Sequence, residues 1–221
     1  FKDIIDSYKG WTSCQIQYNY MDQHCQAGTR GVKYAASKGL AVVVMEPVAG
    51  GRLAMRLAKP IEEAFERAEI KRTQAEWALL WVLNHPEVSV ALSGMSNMQQ
   101  VQENVRTAEI SSPNMLSRKE LQFINQVAEK YREHGFIDCS GCGYCQPCPE
   151  GVNIPTIFSL LNEYYSQNMS EEVKAKYSKT VTRGCEAKRC KSCGRCEELC
   201  PQHLPTRKLL GSAAYLFEQH L

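Results

Sequence analysis

The sequence predicts an α/β fold with a parallel sheet in its first part and a metal-binding domain in its last part. Short apolar segments alternate with helical patterns as far as about residue 131, which indicates repeated strand and helix units. The segment Leu40 to Met45 is apolar on both faces, as buried strands of parallel sheets are. Nine of the eleven cysteines lie between Cys139 and Cys200, so the chemistry of the last part differs from that of the first.

Composition excludes several classes of protein. The 221 residues are 43% hydrophobic and 23% charged, which is typical of a globular chain, and the net charge of +2 does not favour a nucleic-acid partner. The longest apolar run, Trp77 to Leu83, is far shorter than the roughly 18 residues that span a bilayer. The chain begins without Met and without a secretory signal, so we expect a cytoplasmic protein that has no membrane partner and is part of a longer chain.

The elements of the first part follow from local patterns. Strands are predicted at Cys14 to Tyr18, Leu40 to Met45 and Val88 to Leu92. Helices are predicted at Thr29 to Lys38, from about Ile61, from Thr73 to Asn84, at Asn97 to Thr107 and from Ser117. Thr73 with Glu76, and Ser117 with Glu120, have the spacing of capping boxes. Three strand and helix units fit either a piece of a barrel or a small open sheet, and periodicity does not choose between them.

A domain boundary is predicted close to Gly135, where the composition changes. We expect one domain over residues 1–116, a connecting helix over 117–135 and a second, mainly helical domain over 136–221. The cysteines of the last domain form two motifs, Cys-Ser-Gly-Cys-Gly-Tyr-Cys-Gln-Pro-Cys-Pro from Cys139 and Cys-Lys-Ser-Cys-Gly-Arg-Cys-Glu-Glu-Leu-Cys-Pro from Cys190. A run of three cysteines at two-residue intervals, followed by Cys-Pro, is typical of [4Fe-4S] binding, and it occurs twice.

The motifs predict two [4Fe-4S] clusters with eight ligands. In two-cluster ferredoxins the fourth cysteine of each run binds the other cluster. Carried onto this chain, that pattern assigns Cys139, Cys142, Cys145 and Cys200 to one cluster. It assigns Cys190, Cys193, Cys196 and Cys148 to the other. The first run has two residues rather than three before Cys148, a departure from the bacterial pattern.

Alternatives to this interpretation remain open from the residues alone. Four-cysteine zinc sites also use Cys-x2-Cys pairs, although not three intervals in succession. Cys185 is a ninth thiol, either a substitute ligand or a loop cysteine without a metal role. The basic residues beside the second motif, Lys188, Arg189, Lys191 and Arg195, either form a solvated face or contact an acidic redox partner.

The first part resembles the aldo/keto reductase family. The segments that carry the resemblance are Gln15 to Asn19, Gly31 to Leu40, Val43 to Leu53, Trp77 to Asn84 and Ser93 to Asn97, followed by Glu103-Asn104. They resemble, in the same order, strand six to strand eight of that family with the helices between them. With the two cysteine motifs, the match is to the subfamily that carries a C-terminal ferredoxin-type domain.

The resemblance implies about three strands, six to eight, of a TIM-type (β/α)8 barrel that binds NAD(P)H at the carboxyl ends of its strands. Gln15 matches the glutamine that holds the carboxamide, and Met45 replaces the usual stacking tyrosine. The other matched cofactor positions lie along the pyrophosphate or over the adenosine: Val48, Gly50, Gly51, Ser96, Asn97, Glu103 and Asn104. Gln100 replaces an arginine that grips the 2′-phosphate, which favours NADH.

The family's catalytic aspartate, tyrosine, lysine and histidine lie on the half of the barrel that this chain lacks, so no catalytic residue is assigned. The resemblance implies a hydride-transferring oxidoreductase that acts on a carbonyl-type small molecule, with clusters that pass electrons to a redox protein. An electron-carrier module without catalysis, or a zinc-stabilised interaction domain, is the alternative. A half barrel on its own exposes its strand edges and interior to water.

Overall fold

The structure is a computed structural model that describes residues 1–54, 59–133, 136–166 and 170–218. Within these residues the chain divides into two compact units. The first holds residues 1–54 and 63–129, and the second holds 59–62 and 130–218. Gly135, where the sequence predicts a boundary, lies outside the described residues.

The first unit is built on a parallel three-stranded sheet. Its strands are β1 (Ser13–Gln17), β2 (Ala41–Met45) and β3 (Val88–Ala91), in the order β1-β2-β3. Gln15 pairs with Val43 across β1 and β2, and the register between β2 and β3 shifts between Val42 and Val43. The three strands and their parallel arrangement confirm the α/β prediction, with bounds that move by about one residue at some ends.

Helices alternate with these strands. They are α1 (Lys2–Ser7), α2 (Gly28–Ser37), α3 (Lys59–Glu66), α4 (Gln74–Leu83), α5 (Met98–Ile110) and α6 (Arg118–Glu133). Thr73 caps α4 by accepting a hydrogen bond from the backbone amide of Glu76 at 3.1 Å, as its capping box predicts. Asn97 lies just outside α5 as its cap, and that helix continues three residues beyond the predicted end at Thr107.

Within the described residues, helices cover one face of the sheet and leave the other open. Helices α2 and α4 pack against the strands. Val42 and Val44 of β2 are fully buried between the sheet and these helices. The opposite face carries Gln15, which is exposed, and Val90, which is 46% exposed. Since a parallel sheet usually buries both faces, the open face is the one on which a cofactor or further chain can lie.

The second unit is mainly helical. Its helices are α7 (Ile154–Ser166), α8 (Glu171–Thr180), α9 (Arg195–Glu198) and α10 (Thr206–Glu218), with a 3-10 turn at Ala187–Arg189. Ile157, Phe158 and Leu161 of α7 share a buried core with residues of α8 and α10, and Cys139, Cys145, Cys148 and Cys190 pack against this core. The cysteine loops are therefore held by an apolar centre that the helices supply. Across the part of the chain that is described, no helix has the length and apolar character that crossing a membrane requires.

Candidate functional site

The two cysteine motifs share a backbone shape that extends beyond the cysteines. The third and fifth positions adopt left-handed conformations in both loops: Gly141 at φ 71° matches Ser192 at φ 56°, and Gly143 at 77° matches Gly194 at 84°. Left-handed backbone is costly for residues other than glycine, so its recurrence at Ser192 indicates that the loop shape itself is required.

The repeat continues past the fourth cysteine of each motif. Three residues on, Gly151 and His203 are both left-handed, and their amides donate to the carbonyl oxygens of Cys148 at 2.9 Å and Cys200 at 3.0 Å. A helix of 13 residues follows each turn, α7 after the first and α10 after the second. The second unit thus contains two copies of one loop-and-helix unit, of which the sequence revealed only the two cysteine motifs.

One pocket brings the two motifs together. Cys139, Cys142 and Cys145 of the first motif line it with Cys196 and Cys200 of the second. The rest of its wall is largely apolar and includes Ile154, Pro155, Phe158 and Leu204. Cys200, which is far in sequence from the first motif, thus shares a pocket with Cys139, Cys142 and Cys145, and so does Cys196, which the crossed assignment gives to the other cluster.

The thiols of this pocket interact electrostatically. Burial, and then the neighbouring thiols of Cys139, Cys142 and Cys196, raise the pKa of Cys145 to about 11. Burial also raises the pKa of Cys196, whereas a side-chain hydrogen bond with Thr206 lowers it. With a pKa of about 11, the Cys145 thiol stays protonated at neutral pH unless positive charge is bound among these sulfurs, and iron is one source of such charge.

The segment after Cys148 is tied to the residues that precede the second motif. The amide of Asn153 donates to the carbonyl oxygen of Cys185 at 3.0 Å, and Arg189 Nε donates to the carbonyl oxygen of Glu150 at 3.1 Å. A Cβ atom on Gly151 would lie 2.8 Å from the carbonyl oxygen of Gly184, so these backbones approach closely. Cys148 is thereby attached to the chain segment that leads into Cys190.

One contact within the second motif involves the sulfur of a predicted ligand. The amide of Ser192 donates to Cys190 Sγ at 3.4 Å. N-H donors to cysteine sulfur are one means by which proteins set cluster potentials.

The eight predicted ligands do not form a single-ion site: among the described residues, no three His, Cys, Asp or Glu side chains are grouped so that they could hold one metal ion. The thiolates of a [4Fe-4S] cluster bind separate irons, so such a grouping is not required.

The structure also brings together the first two candidate nicotinamide residues. Gln15 Nε2 donates a hydrogen bond to Met45 Sδ at 3.2 Å on the open face of the sheet. The turn that follows β2 is unusual, because Glu46, Ala49, Gly50 and Gly51 all have positive φ. The left-handed conformation is costly at Glu46 and Ala49, which are not glycines, and such strain persists mainly at functional sites.

The remaining candidates lie around the start of α5. The backbone and hydroxyl of Ser96 donate to Gln100 Oε1 at 2.8 and 3.1 Å, and Asn97 Oδ1 accepts from the amide of Gln100 at 2.9 Å. Asn104 Nδ2 donates to Ser93 Oγ at 3.0 Å. Glu103 is set apart from this group, since its Oε1 accepts from Gln99 Nε2 at 2.8 Å.

Sequence reasoning missed a buried polar network directly after β1. Asp22 is 4% exposed, and its carboxylate accepts from Gln17 Nε2 at 2.7 Å and Asn19 Nδ2 at 2.9 Å. Asn19 Nδ2 also reaches the carbonyl oxygen of Glu46 at 3.1 Å. The network joins the loop after β1 to the turn after β2, so it fixes the edge of the sheet where Met45 lies.

Two known families match different parts of the chain. Residues 4–128 match the aldo/keto reductase family, and residues 138–204 match the 4Fe-4S dicluster domain. The chain belongs to the aldo/keto reductase family and carries an iron-sulfur domain after its reductase part. The first match covers nearly all of the first unit, and the second covers both cysteine motifs.

Among solved structures, the chain is similar to the aldo-keto reductase AKR11C1 from Bacillus halodurans. The holo form shares 25% identity with a TM-score of 0.46, over 57% of this chain and 46% of that one. The apo form shares 25% identity with a TM-score of 0.45, over 57% and 47%. The chain thus spans about half the length of these structures. No curated protein matches the sequence.

Proposed function

We propose that this chain is the C-terminal part of a nicotinamide-dependent oxidoreductase that exchanges electrons through two [4Fe-4S] clusters. Residues 1–116 would form about the last three strands of a (β/α)8 barrel, 117–135 a connecting helix and 136–221 a ferredoxin-like domain. The whole protein would move a hydride between NAD(P)H and a carbonyl-type small molecule, and single electrons between its clusters and a redox protein.

The observation that carries the proposal is the pocket that joins the two cysteine motifs. It supports Cys139, Cys142, Cys145 and Cys200 as one ligand set. The bonds from the segment after Cys148 to residues 185–189 support Cys190, Cys193, Cys196 and Cys148 as the other. When bound, each cluster supplies one-electron chemistry. The chain's own contribution is the apolar wall, which excludes water, and the Ser192 amide at the sulfur of Cys190.

The nicotinamide part of the proposal depends on the open sheet face. Gln15 and Met45 lie in contact there, with the left-handed turn beyond them. Val48, Gly50 and Gly51 would follow the pyrophosphate, and Ser96, Asn97, Glu103 and Asn104 would lie near the adenosine. Gln100 is hydrogen-bonded to Ser96 and carries no charge for a 2′-phosphate, which favours NADH over NADPH.

The experiment that tests the cluster assignment is metal analysis of anaerobically prepared protein. We expect about eight irons and about eight labile sulfides per chain, with coupled [4Fe-4S] signals in the EPR spectrum after dithionite reduction. Stoichiometric zinc without labile sulfide would contradict the proposal and favour the zinc-stabilised interaction domain instead.

A second experiment separates the enzyme from a simple electron carrier. Anaerobic NADH is added to the protein at its full natural length, and the visible absorbance of the clusters is followed with a redox acceptor present. Bleaching by NADH that is lost in Gln15→Ala is expected if the nicotinamide site works with the clusters. Fully loaded clusters that NADH never reduces would favour the carrier.

A further inference from the structure

The repeat in the second unit allows the surroundings of the two proposed clusters to be compared position by position. At four positions the second loop has a cation where the first has none. Lys188, Arg189, Lys191 and Arg195 correspond to Ile137, Asp138, Ser140 and Tyr144, at a constant spacing of 51 residues. Residues 137–149 carry a net charge of −1, whereas residues 188–201 carry four basic and two acidic residues, a net charge of +2.

These cations are available to a partner. All four side chains are exposed, and none forms an ion pair with another residue in the described ranges of the chain. Arg189 donates to the carbonyl oxygen of Glu150, and the Glu186 carboxylate interacts electrostatically with Arg189 and Lys188 without forming an ion pair with either. Of the acidic residues nearby, Glu197 is paired with Arg207 at 2.7 Å. The exposed charges of Lys191 and Arg195 are therefore the part of the loop's positive charge that is most available to a partner.

The cations surround an exposed cluster ligand. Cys193 is exposed between Lys191 and Arg195, as its counterpart Cys142 is exposed in the first loop. Leu199, 44% exposed, adds an apolar side chain beside them. A charged rim around a solvent-accessible redox centre is suited to a partner of opposite charge, because electrostatic attraction both steers the encounter and orients it.

We propose that the loop of residues 188–199 is the docking surface for a small acidic electron-carrier protein. In each encounter one electron passes from the reduced protein, which becomes oxidised, to the oxidised protein, which becomes reduced. No covalent bond forms or breaks, and no proton is transferred. The proposal rests on the proposed function, since it assumes that the second motif holds a cluster. It adds that electrons enter or leave at the second loop and not at the first.

The test uses the loaded protein at full natural length and an acidic plant-type [2Fe-2S] ferredoxin as the probe, with binding measured calorimetrically at low and at high salt. The variant Lys191→Gln/Arg195→Gln removes two positive charges from the second loop. The matched control Ser140→Glu/Tyr144→Glu changes the total charge by the same amount at the corresponding positions of the first loop. Iron content and EPR spectra verify that both variants keep their clusters.

We expect the Gln variant to bind the probe about tenfold more weakly at low salt, and the difference to shrink as salt screens the charges. The control should bind within about twofold of the unmodified protein. Equal weakening in both variants would assign the effect to net charge, and the absence of salt-dependent binding would remove the docking surface; either result overturns the proposal. Equal affinity for the ferredoxin and for a short single-stranded DNA would also overturn the proposal, because it would indicate a general polyanion site. Absence of iron in the unmodified protein would instead defeat the proposed function.

Discussion

Glu218, near the end of α10, accepts a hydrogen bond from the backbone amide of Ala187 at 2.8 Å, 31 residues earlier in the chain. The same carboxylate accepts from the amide of Lys188 at 3.1 Å and from the hydroxyl of Tyr177. Burial, and then the hydrogen bond with Glu218, raise the pKa of Tyr177 well above its usual range, so the hydroxyl stays a donor. This buried group fixes the turn that leads directly into Cys190.

The first motif is anchored in a similar way. Asn162 on α7 accepts from the amide of Ile137 at 2.7 Å and donates to its carbonyl oxygen at 2.9 Å. Ile137 and Lys188 are the residues two positions before the first cysteine of each motif. The helix after each motif therefore hydrogen-bonds to the residues just before that motif. The bond is made by the side-chain amide of Asn162 in the first case and by the carboxylate of Glu218 in the second.

We expect Glu218→Ala to destabilise the second unit and loosen the second motif. Removing the carboxylate leaves the hydroxyl of Tyr177 and the amide of Lys188 without their acceptor, and leaves the Ala187 amide only Tyr177 Oη at 3.1 Å, which together costs about 2 kcal/mol. The measurement is iron per chain and helical circular dichroism during urea unfolding. Tyr177→Phe is the matched variant: it removes one hydroxyl but leaves the carboxylate, which still accepts from the Ala187 amide at 2.8 Å, so it should cost less. A Glu218→Ala protein with unchanged iron and stability would contradict this anchoring role.

The crossed ligand assignment gives a prediction about single cysteines. Cys200→Ser should reduce the iron content from about eight to about four per chain, because it removes a ligand of the first proposed cluster. Cys185→Ser should keep the full iron content, since Cys185 accepts a hydrogen bond from Thr182 Oγ1 at 3.4 Å in its own loop. Iron analysis and EPR of the two variants, prepared side by side, give the answer. Loss of iron in Cys185→Ser would make Cys185 a ligand.

The sequence patterns located the elements of the first unit well and the polar parts of its site poorly. The capping box at Thr73 and the two-faced apolar strand at Val42 to Val44 are local signals, and the structure has a helix and a strand there. Asp22 gave no signal, because a carboxylate after a strand looks like an ordinary loop residue. It is buried only because Gln17 and Asn19 surround it in the folded chain.

The second unit shows a different limit. Evenly spaced cysteines are visible in the sequence because thiolate spacing follows directly from cluster binding. The equivalence of Gly151 and His203 is invisible there, since it is a shared backbone conformation of two unlike residues. The anchors Asn162 and Glu218 are likewise unlike, and only contacts across many residues reveal their common role.

The stability of the first unit should depend on the protonation of His85. Burial lowers the pKa of His85 from its usual value, and its ring lies against Trp81 at a centroid distance of 4.6 Å. In the unfolded chain His85 binds a proton near pH 6.5, whereas in the folded chain it does so only at lower pH. The free energy of unfolding is therefore highest above pH 6.5 and falls as the pH drops below it. Urea unfolding followed by tryptophan fluorescence at about pH 7.5 and about pH 5.5 measures the loss. His85→Gln should show a smaller loss between the two pH values; an identical loss would exclude His85 as its source.

The cap of α4 provides a prediction confined to one unit. Thr73→Ala removes the side-chain acceptor of the Glu76 amide, so we expect it to lower the free energy of unfolding of the first unit by about 1 kcal/mol. All three tryptophans, Trp11, Trp77 and Trp81, belong to that unit, so their fluorescence during urea unfolding reports it selectively.

Ser170→Ala is the matched control, because Ser170 caps α8 in the second unit by accepting from the Glu172 amide at 3.1 Å. It should leave the tryptophan-reported midpoint unchanged while lowering the stability of the helical second unit by a similar amount. If instead both substitutions shift the tryptophan transition equally, the two units unfold as one cooperative body. The cap at Thr73 would then stabilise the whole chain, and the prediction of separate unfolding would be wrong.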